Sequence, residues 1–200
     1  EVGTTAFSVP KGSLGFWEDR LGKAGVTGLA RDERFGESRL AFAGPDHEGF
    51  ALVEVEGDER PAWTEGGVGE GEAIRSFHSV SLRLRDGAAT GELLRFMGYT
   101  PVDTSGEVTR YAVEGGNGAD IVDIESGGTA RFADLGAGSV HHVAFAVEDR
   151  VKQLAVRKAL LDTGYQVTPV IDRDYFWAIY FRTPGGVLFE VATNAPGFTR

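Results

Sequence analysis

Val140-His141-His142-Val143-Ala144-Phe145-Ala146-Val147 is the stretch whose reading decides the fold. Val143, Phe145 and Val147 alternate with small residues, the pattern of a strand with one apolar face. Asp149 follows as a helix N-cap, because a short side-chain oxygen there can accept from the free N–H groups of a first turn. Val151, Leu154, Ala155 and Leu161 then recur at helical spacing and predict the buried stripe of a helix. Gly164 ends it, since glycine takes the left-handed conformation cheaply. Strands are expected at Tyr165–Val167, Trp177–Phe181 and Val187–Val191, the last two joined by the turn Pro184-Gly185-Gly186. The segment therefore reads as β-α-β-β-β.

The same order of events occurs twice more upstream. Thr5-Phe7-Val9 and Val80-Leu82-Leu84 match Val143-Phe145-Val147. Ser13 and Thr90 match Asp149 as N-caps. Leu14, Trp17 and Leu21 share one helix face, as do Leu93, Leu94 and Met97, and Gly25 and Gly98 stop the two helices. Strands follow at Arg39–Phe42 and Phe50–Val55 in the first copy, and at Thr109–Val113 and Ile121–Ile124 in the second. The expected organisation is a βαβββ module over 1–57, a connector over 58–73, a module over 74–126, a connector over 127–138, and a third module with the C-terminal tail over 139–200. One helix against a small sheet, repeated, is an α+β architecture of curved mixed sheets that can face each other across a cleft.

Composition narrows the chemistry. The chain has 200 residues, 42% of them hydrophobic and 25% charged, as in ordinary globular proteins. No apolar run reaches the roughly 18 residues of a membrane span. Cysteine is absent, which excludes thiol catalysis, disulfide scaffolds and cysteine-ligated zinc. A net charge of −10 argues against a nucleic-acid partner, whose phosphates select basic faces. Gly66, Gly67, Gly69 and Gly71 lack the strand-to-helix setting of a phosphate loop. With no signal-like segment, the expected compartment is the cytoplasm.

Any metal site must draw on His, Asp or Glu, and there are four histidines. Strand parity puts His142 on one face with Ala144 and Ala146, where there is room, and His141 on the other with Val143, Phe145 and Val147. Glu190 is an ionisable residue in an apolar strand, and a buried carboxylate needs a cation or a proton. His142 and Glu190 are two of the three ligands of a 2-His-1-carboxylate centre, which suits Fe(II) or Mn(II). The spacing equally allows a core histidine, with Glu190 paired to Arg173 or Arg182. His78 matches His141 in the repeat, Ser79 takes the place of His142, and His78 reads as structural. His47 sits in a solvent-facing turn.

The sequence resembles the vicinal oxygen chelate superfamily of glyoxalases and extradiol dioxygenases. From Gly138 to Phe198 it is similar to the hydroquinone-type ring-cleaving dioxygenases. The similarity runs through His141-His142-Val143-Ala144-Phe145, Thr168-Pro169-Val170-Ile171-Asp172-Arg173, Tyr175-Phe176, Ile179-Tyr180-Phe181-Arg182, Pro184-Gly185-Gly186-Val187-Leu188-Phe189-Glu190 and Pro196-Gly197-Phe198. Ser8-Val9-Pro10, Gly12-Ser13-Leu14 and Arg34-Phe35-Gly36-Glu37 extend it to the first copy.

The resemblance implies a metal cleft between modules. His142 and Glu190 would be ligands to Fe(II), with Mn(II) as the alternative, and His141, Arg173 and Tyr180 would be catalytic residues that hold substrate and move protons. The substrates implied are a small aromatic diol and O2. The family pattern has four modules, of which those here correspond to the last three; the third ligand, a histidine, would then lie ahead of Glu1. The rival readings are a metal-dependent lyase or isomerase of glyoxalase type, and a non-catalytic binder of aromatic compounds. An uncovered face on the third module predicts a homo-oligomer.

Overall fold

The computed structural model describes residues 1–116, 118–127 and 136–198. Most of the expected 127–138 connector lies outside the described residues. The elements run β1 (Val2–Pro10), α1 (Leu14–Lys23), β2 (Ala30–Arg34), β3 (Glu37–Ala43) and β4 (Gly49–Val55); β5 (Ser76–Arg83), α2 (Ala88–Phe96), β6 (Thr100–Ser105), β7 (Val108–Ala112) and β8 (Ile121–Glu125); then β9 (Val143–Val147), α3 (Arg150–Asp162), β10 (Ile171–Asp172), β11 (Phe176–Arg182) and β12 (Leu188–Pro196). The order is β-α-β-β-β three times, an α+β fold of mixed sheets. The chain divides into two compact units, Glu1–Ser139 and Val140–Arg200.

The first unit is one eight-stranded sheet in the order β2-β3-β4-β1-β5-β8-β7-β6. Within each repeat the first and last strands lie parallel, the relation a helical crossover permits: β1 on β4 and β5 on β8. The two first strands, β1 and β5, pair antiparallel, with Thr5 opposite Val80. Val9, Leu14, Trp17, Leu40 and Leu52 form a core under α1, joined by Val68 and Ala73 from the connector. Trp17 Nε1 donates to the Glu72 carbonyl at 2.7 Å, so the connector is docked rather than loose.

The second unit is a four-stranded sheet in the order β10-β11-β12-β9, with β9 terminal. The rings of Phe145, Phe181 and Phe189 touch on one face. Strand alternation sends Ala144, Tyr180 and Glu190 to the other.

Several local expectations change. Asp149 does cap α3, accepting from the Lys152 N–H at 2.9 Å. Thr90 does not cap α2; Gly87 holds that position and Thr90 is buried inside the helix. Ser13 stands at the start of α1 without a capping bond. Glu54 Oε1 serves instead, accepting from Gly12 N at 2.9 Å and Leu14 N at 3.1 Å. Gly25, Gly98 and Gly164 all take positive φ just past their helices. The apolar stripe of α3 faces outward: Val151 is 75%, Leu154 47% and Leu161 42% exposed. The buried residues are Gln153 and Leu160, because Gln153 Nε2 bonds the carbonyls of Trp177 and Val191 at 2.7 and 2.8 Å. At Tyr165–Val167 there is only an isolated bridge from Val167 to Phe181.

Candidate metal and substrate site

The site is built on three adjacent strands. β9 and β12 lie parallel with Ala144 level with Glu190, and β11 lies antiparallel on the other side with Tyr180 opposite Glu190. His142 lies just ahead of β9, and its contacts with Glu190 and with the Tyr180 ring place it on that face. Glu190 Oε2 lies 2.6 Å from His142 Nε2. Glu190 is 2% exposed, and its Oε1 is buried with no hydrogen-bond partner. A desolvated carboxylate oxygen without a donor is costly, and the His142 imidazole engages only the other oxygen.

Tyr180 closes the other flank. Its ring meets the His142 imidazole edge-on, with centroids 5.8 Å apart. Arg173 Nη2 donates to the Tyr180 hydroxyl at 3.3 Å, with the guanidinium 5.5 Å from the ring centroid. Burial pushes the Tyr180 phenol above its ordinary pKa; the Arg173 bond opposes this and the negative charge of Glu190 adds to it. The phenol is therefore held as a proton donor at neutral pH.

His141 does not follow the parity expected of it. Residues 141 and 142 precede the first residue of β9, where strict alternation has not begun. The His141 ring is exposed and turns to its neighbour, Nδ1 to Nδ1 at 3.0 Å. The five residues singled out thus form one chain of contacts, His141–His142–Glu190 and His142–Tyr180–Arg173. The ordinary ion-pair alternative for Glu190 is not what forms. Arg173 is engaged with Tyr180, and Arg182 Nη1 with the Gly186 carbonyl at 3.0 Å.

The second repeat carries a counterpart that sequence reading missed. Asp123 is the third residue of β8, as Glu190 is of β12, and Ser81 is level with Asp123 as Ala144 is with Glu190. Arg110 faces Asp123 across β7–β8, where Tyr180 faces Glu190. Arg110 also donates to Glu37 Oε2 at 2.6 Å, and Glu37 Oε1 lies 3.0 Å from His78 Nε2. A guanidinium thus occupies this place, and its bonds use up the carboxylates. The only sequence signal was the offset from the strand start, which needs the register to be read. His47 is exposed, in the turn after β3.

The donor set at Glu190 fits a divalent cation: an imidazole nitrogen beside a carboxylate whose Oε1 has no hydrogen-bond partner. Among the described residues no three His, Cys, Asp or Glu side chains cluster closely enough to hold a metal by themselves, so His142 and Glu190 form a partial set. No helix among the described residues is long and apolar enough to cross a membrane.

Repeated βαβββ units with a histidine just ahead of one strand and a carboxylate on its parallel neighbour define a module of the glyoxalase and dioxygenase kind. The chain belongs to the Glyoxalase/Bleomycin resistance protein/Dioxygenase superfamily, whose family model matches residues 10–191. It is 40% identical over 199 residues to MhqO of Bacillus subtilis (strain 168), provisionally named a ring-cleaving dioxygenase; the match covers 99% of this chain and 63% of that protein. It is 35% identical over 208 residues to a chlorohydroquinone/hydroquinone 1,2-dioxygenase of Sphingobium indicum, covering 100% of this chain and 64% of that protein. A crystal structure of a Bacillus subtilis protein provisionally named a dioxygenase superposes with a TM-score of 0.89 at 39% identity, over 100% of this chain and 64% of that one. The chain therefore spans less than two thirds of the length of these relatives.

Proposed function

We propose that this chain serves the oxidative opening of a hydroquinone- or catechol-type ring by O2 at a non-haem Fe(II), with His142 and Glu190 as metal ligands. The observation that carries the reading is the convergence of His142 and Glu190 on one open face with Glu190 Oε1 unsatisfied. Superfamily members are generally metal-dependent, and the relatives named above supply the reaction class. Iron bound there provides the redox chemistry that lets dioxygen react with an aromatic ring; Mn(II) suits the same donors.

The remaining residues have roles that follow from their contacts. Arg173 offers a fixed positive charge beside the Tyr180 hydroxyl, suited to an oxygen that gains negative charge during reaction. Tyr180, kept protonated by burial, donates a hydrogen bond to that oxygen. His141, exposed and hydrogen-bonded to His142, is placed to take a proton from an incoming diol. The bond it shares with His142 also orients the ligand ring.

Oxygen uptake with hydroquinone and catechol, measured on the chain supplied with Fe(II), tests the assignment. Uptake that requires iron and disappears together with bound iron in Glu190→Ala supports it. Full turnover in Glu190→Ala with iron retained overturns it. Isomerisation of a thiohemiacetal without gas consumption reassigns the chain to the lyase class, and tight diol binding without iron makes it a binder.

A further inference from the structure

The segment that carries Arg173 changes register on its way to it. At its start Val167 pairs with Phe181 and Thr168 bonds Tyr180, in one antiparallel register. Continued unbroken from Thr168, that register would set Asp172 opposite Phe176, on the face that Phe176 shares with Tyr180. The pairs that form further on are Ile171 with Ala178 and Asp172 with Trp177, and the Arg173 N–H donates to the Phe176 carbonyl at 2.9 Å. One residue is therefore extra between Thr168 and Ile171, a bulge at Pro169-Val170, where a residue without an N–H is tolerated. The slip exchanges a carboxylate for a guanidinium on the face of Tyr180 and Glu190. Arg173 reaches the Tyr180 hydroxyl, while Asp172 Oδ1 accepts from Asp174 N at 2.9 Å in the turn beyond.

We propose that Thr168 and Asp172 are positioning residues for the site, the first holding Tyr180 and the second Arg173. In an unbroken ladder the Tyr180 N–H would go to the Thr168 carbonyl. That carbonyl instead accepts from Arg157 Nε of α3 at 2.8 Å, and the Thr168 hydroxyl takes the Tyr180 N–H at 3.0 Å. The Thr168 N–H returns to the Tyr180 carbonyl at 3.0 Å. Both backbone groups of Tyr180 are thus held by one residue, which the helix anchors in turn. At the other end Asp172 fixes the turn. Its bond to Asp174 N secures a residue at φ 65°, left-handed backbone that aspartate tolerates better than most side chains. The two-residue loop Asp174-Tyr175 then sets Arg173, and not Asp172, opposite Phe176.

The catalytic consequence rests on the roles given above to Tyr180 and Arg173; the clamp itself does not. Thr168→Val keeps the shape and removes the acceptor, and Thr168→Ser restores it. Asp172→Ala and Asp172→Asn form the matching pair. Amide hydrogen exchange, followed residue by residue by NMR, should quicken roughly tenfold at Tyr180 in Thr168→Val and at Asp174 in Asp172→Ala, the order expected for one lost hydrogen bond. The Ser and Asn variants should return both amides toward the parent. Oxygen uptake on hydroquinone by the chain supplied with Fe(II) should lose kcat and kcat/KM by the same factor, about tenfold, in Thr168→Val and Asp172→Ala, as for contacts made in the transition state. The Ser and Asn variants should again recover, and Asp172→Ala should add no further loss to Arg173→Ala. Unchanged exchange in Thr168→Val and Asp172→Ala overturns the proposal. Faster exchange with undiminished turnover overturns the positioning role. A parent chain that takes up no oxygen counts against the ring-opening reading alone, and the exchange pattern then decides the clamp.

Discussion

Arg110 and Asp123 meet fork to fork, with Nε to Oδ1 at 2.8 Å and Nη2 to Oδ2 at 3.0 Å. Both are buried. They occupy the two register places that Tyr180 and Glu190 occupy in the third repeat. One architecture has two solutions for a buried carboxylate. In the second repeat a planar guanidinium satisfies both oxygens, with Glu37 and His78 completing the network. In the third, one oxygen remains unsatisfied and the face stays open.

Removing one partner of a buried pair leaves the other charge uncompensated. Asp123→Ala should therefore lower stability by about 3–5 kcal/mol in urea unfolding. A double replacement by apolar residues, Arg110→Met with Asp123→Leu, should recover part of that loss. A single Asp123→Ala variant as stable as the parent would show that the pair contributes nothing.

The first strands and the three helices were legible because apolar periodicity and helix-ending glycines mark them directly. β2 and β6 were not. Both are almost wholly exposed edge strands, so no buried face imprints an alternation on them. His142 and Glu190 were readable as candidates from parity and from a charge in an apolar strand. Their meeting depends on the parallel register of β9 and β12, which no local pattern encodes. The turn of His141 onto His142 was misread because parity was applied two residues before the strand begins.

The same limit produced the error on α3. A polar residue at the centre of the buried face hid it, and three exposed apolar residues suggested the wrong one. Gln153→Leu strands the carbonyls of Trp177 and Val191 without their shared donor. It should lower stability by about 2 kcal/mol, the order of cost for an unsatisfied buried group. Leu154→Ser, on the outward side, should change it by less than about 0.5 kcal/mol. Thermal or urea unfolding of both variants decides which face is structural; a larger loss in Leu154→Ser would reverse the assignment.

Ligand binding should appear as stabilisation. A cation that binds only the folded chain, at 100 times its dissociation constant, adds about 2.7 kcal/mol. Adding Mn(II) to the parent chain should raise the melting temperature accordingly, and Glu190→Gln should abolish the rise while folding normally. Tyr180→Phe should keep the metal response and lose turnover on a diol by about 10²-fold, the lower range for removing one hydrogen-bond donor to an oxygen that gains negative charge. A Tyr180→Phe variant that loses the metal response would make the phenol a structural support of the ligands.

Alkaline pH probes Tyr99. Burial, with a smaller effect from the negative charge of Asp120, pushes its phenol from 10.0 up to about 12. The folded chain therefore keeps a proton that the unfolded chain gives up, so the folded state binds more protons throughout this interval. Stability from this group is fully present below pH 10, falls as the pH rises, and is gone above about 12. Tyr99→Phe cannot lose that proton and should flatten the decline. The measurement is the urea midpoint followed from pH 9 to pH 12, with the other tyrosines present in both proteins as the internal reference. Parallel curves for the parent and Tyr99→Phe would place the alkaline transition elsewhere, with Tyr180 as the next phenol to replace because its shift has the same sign.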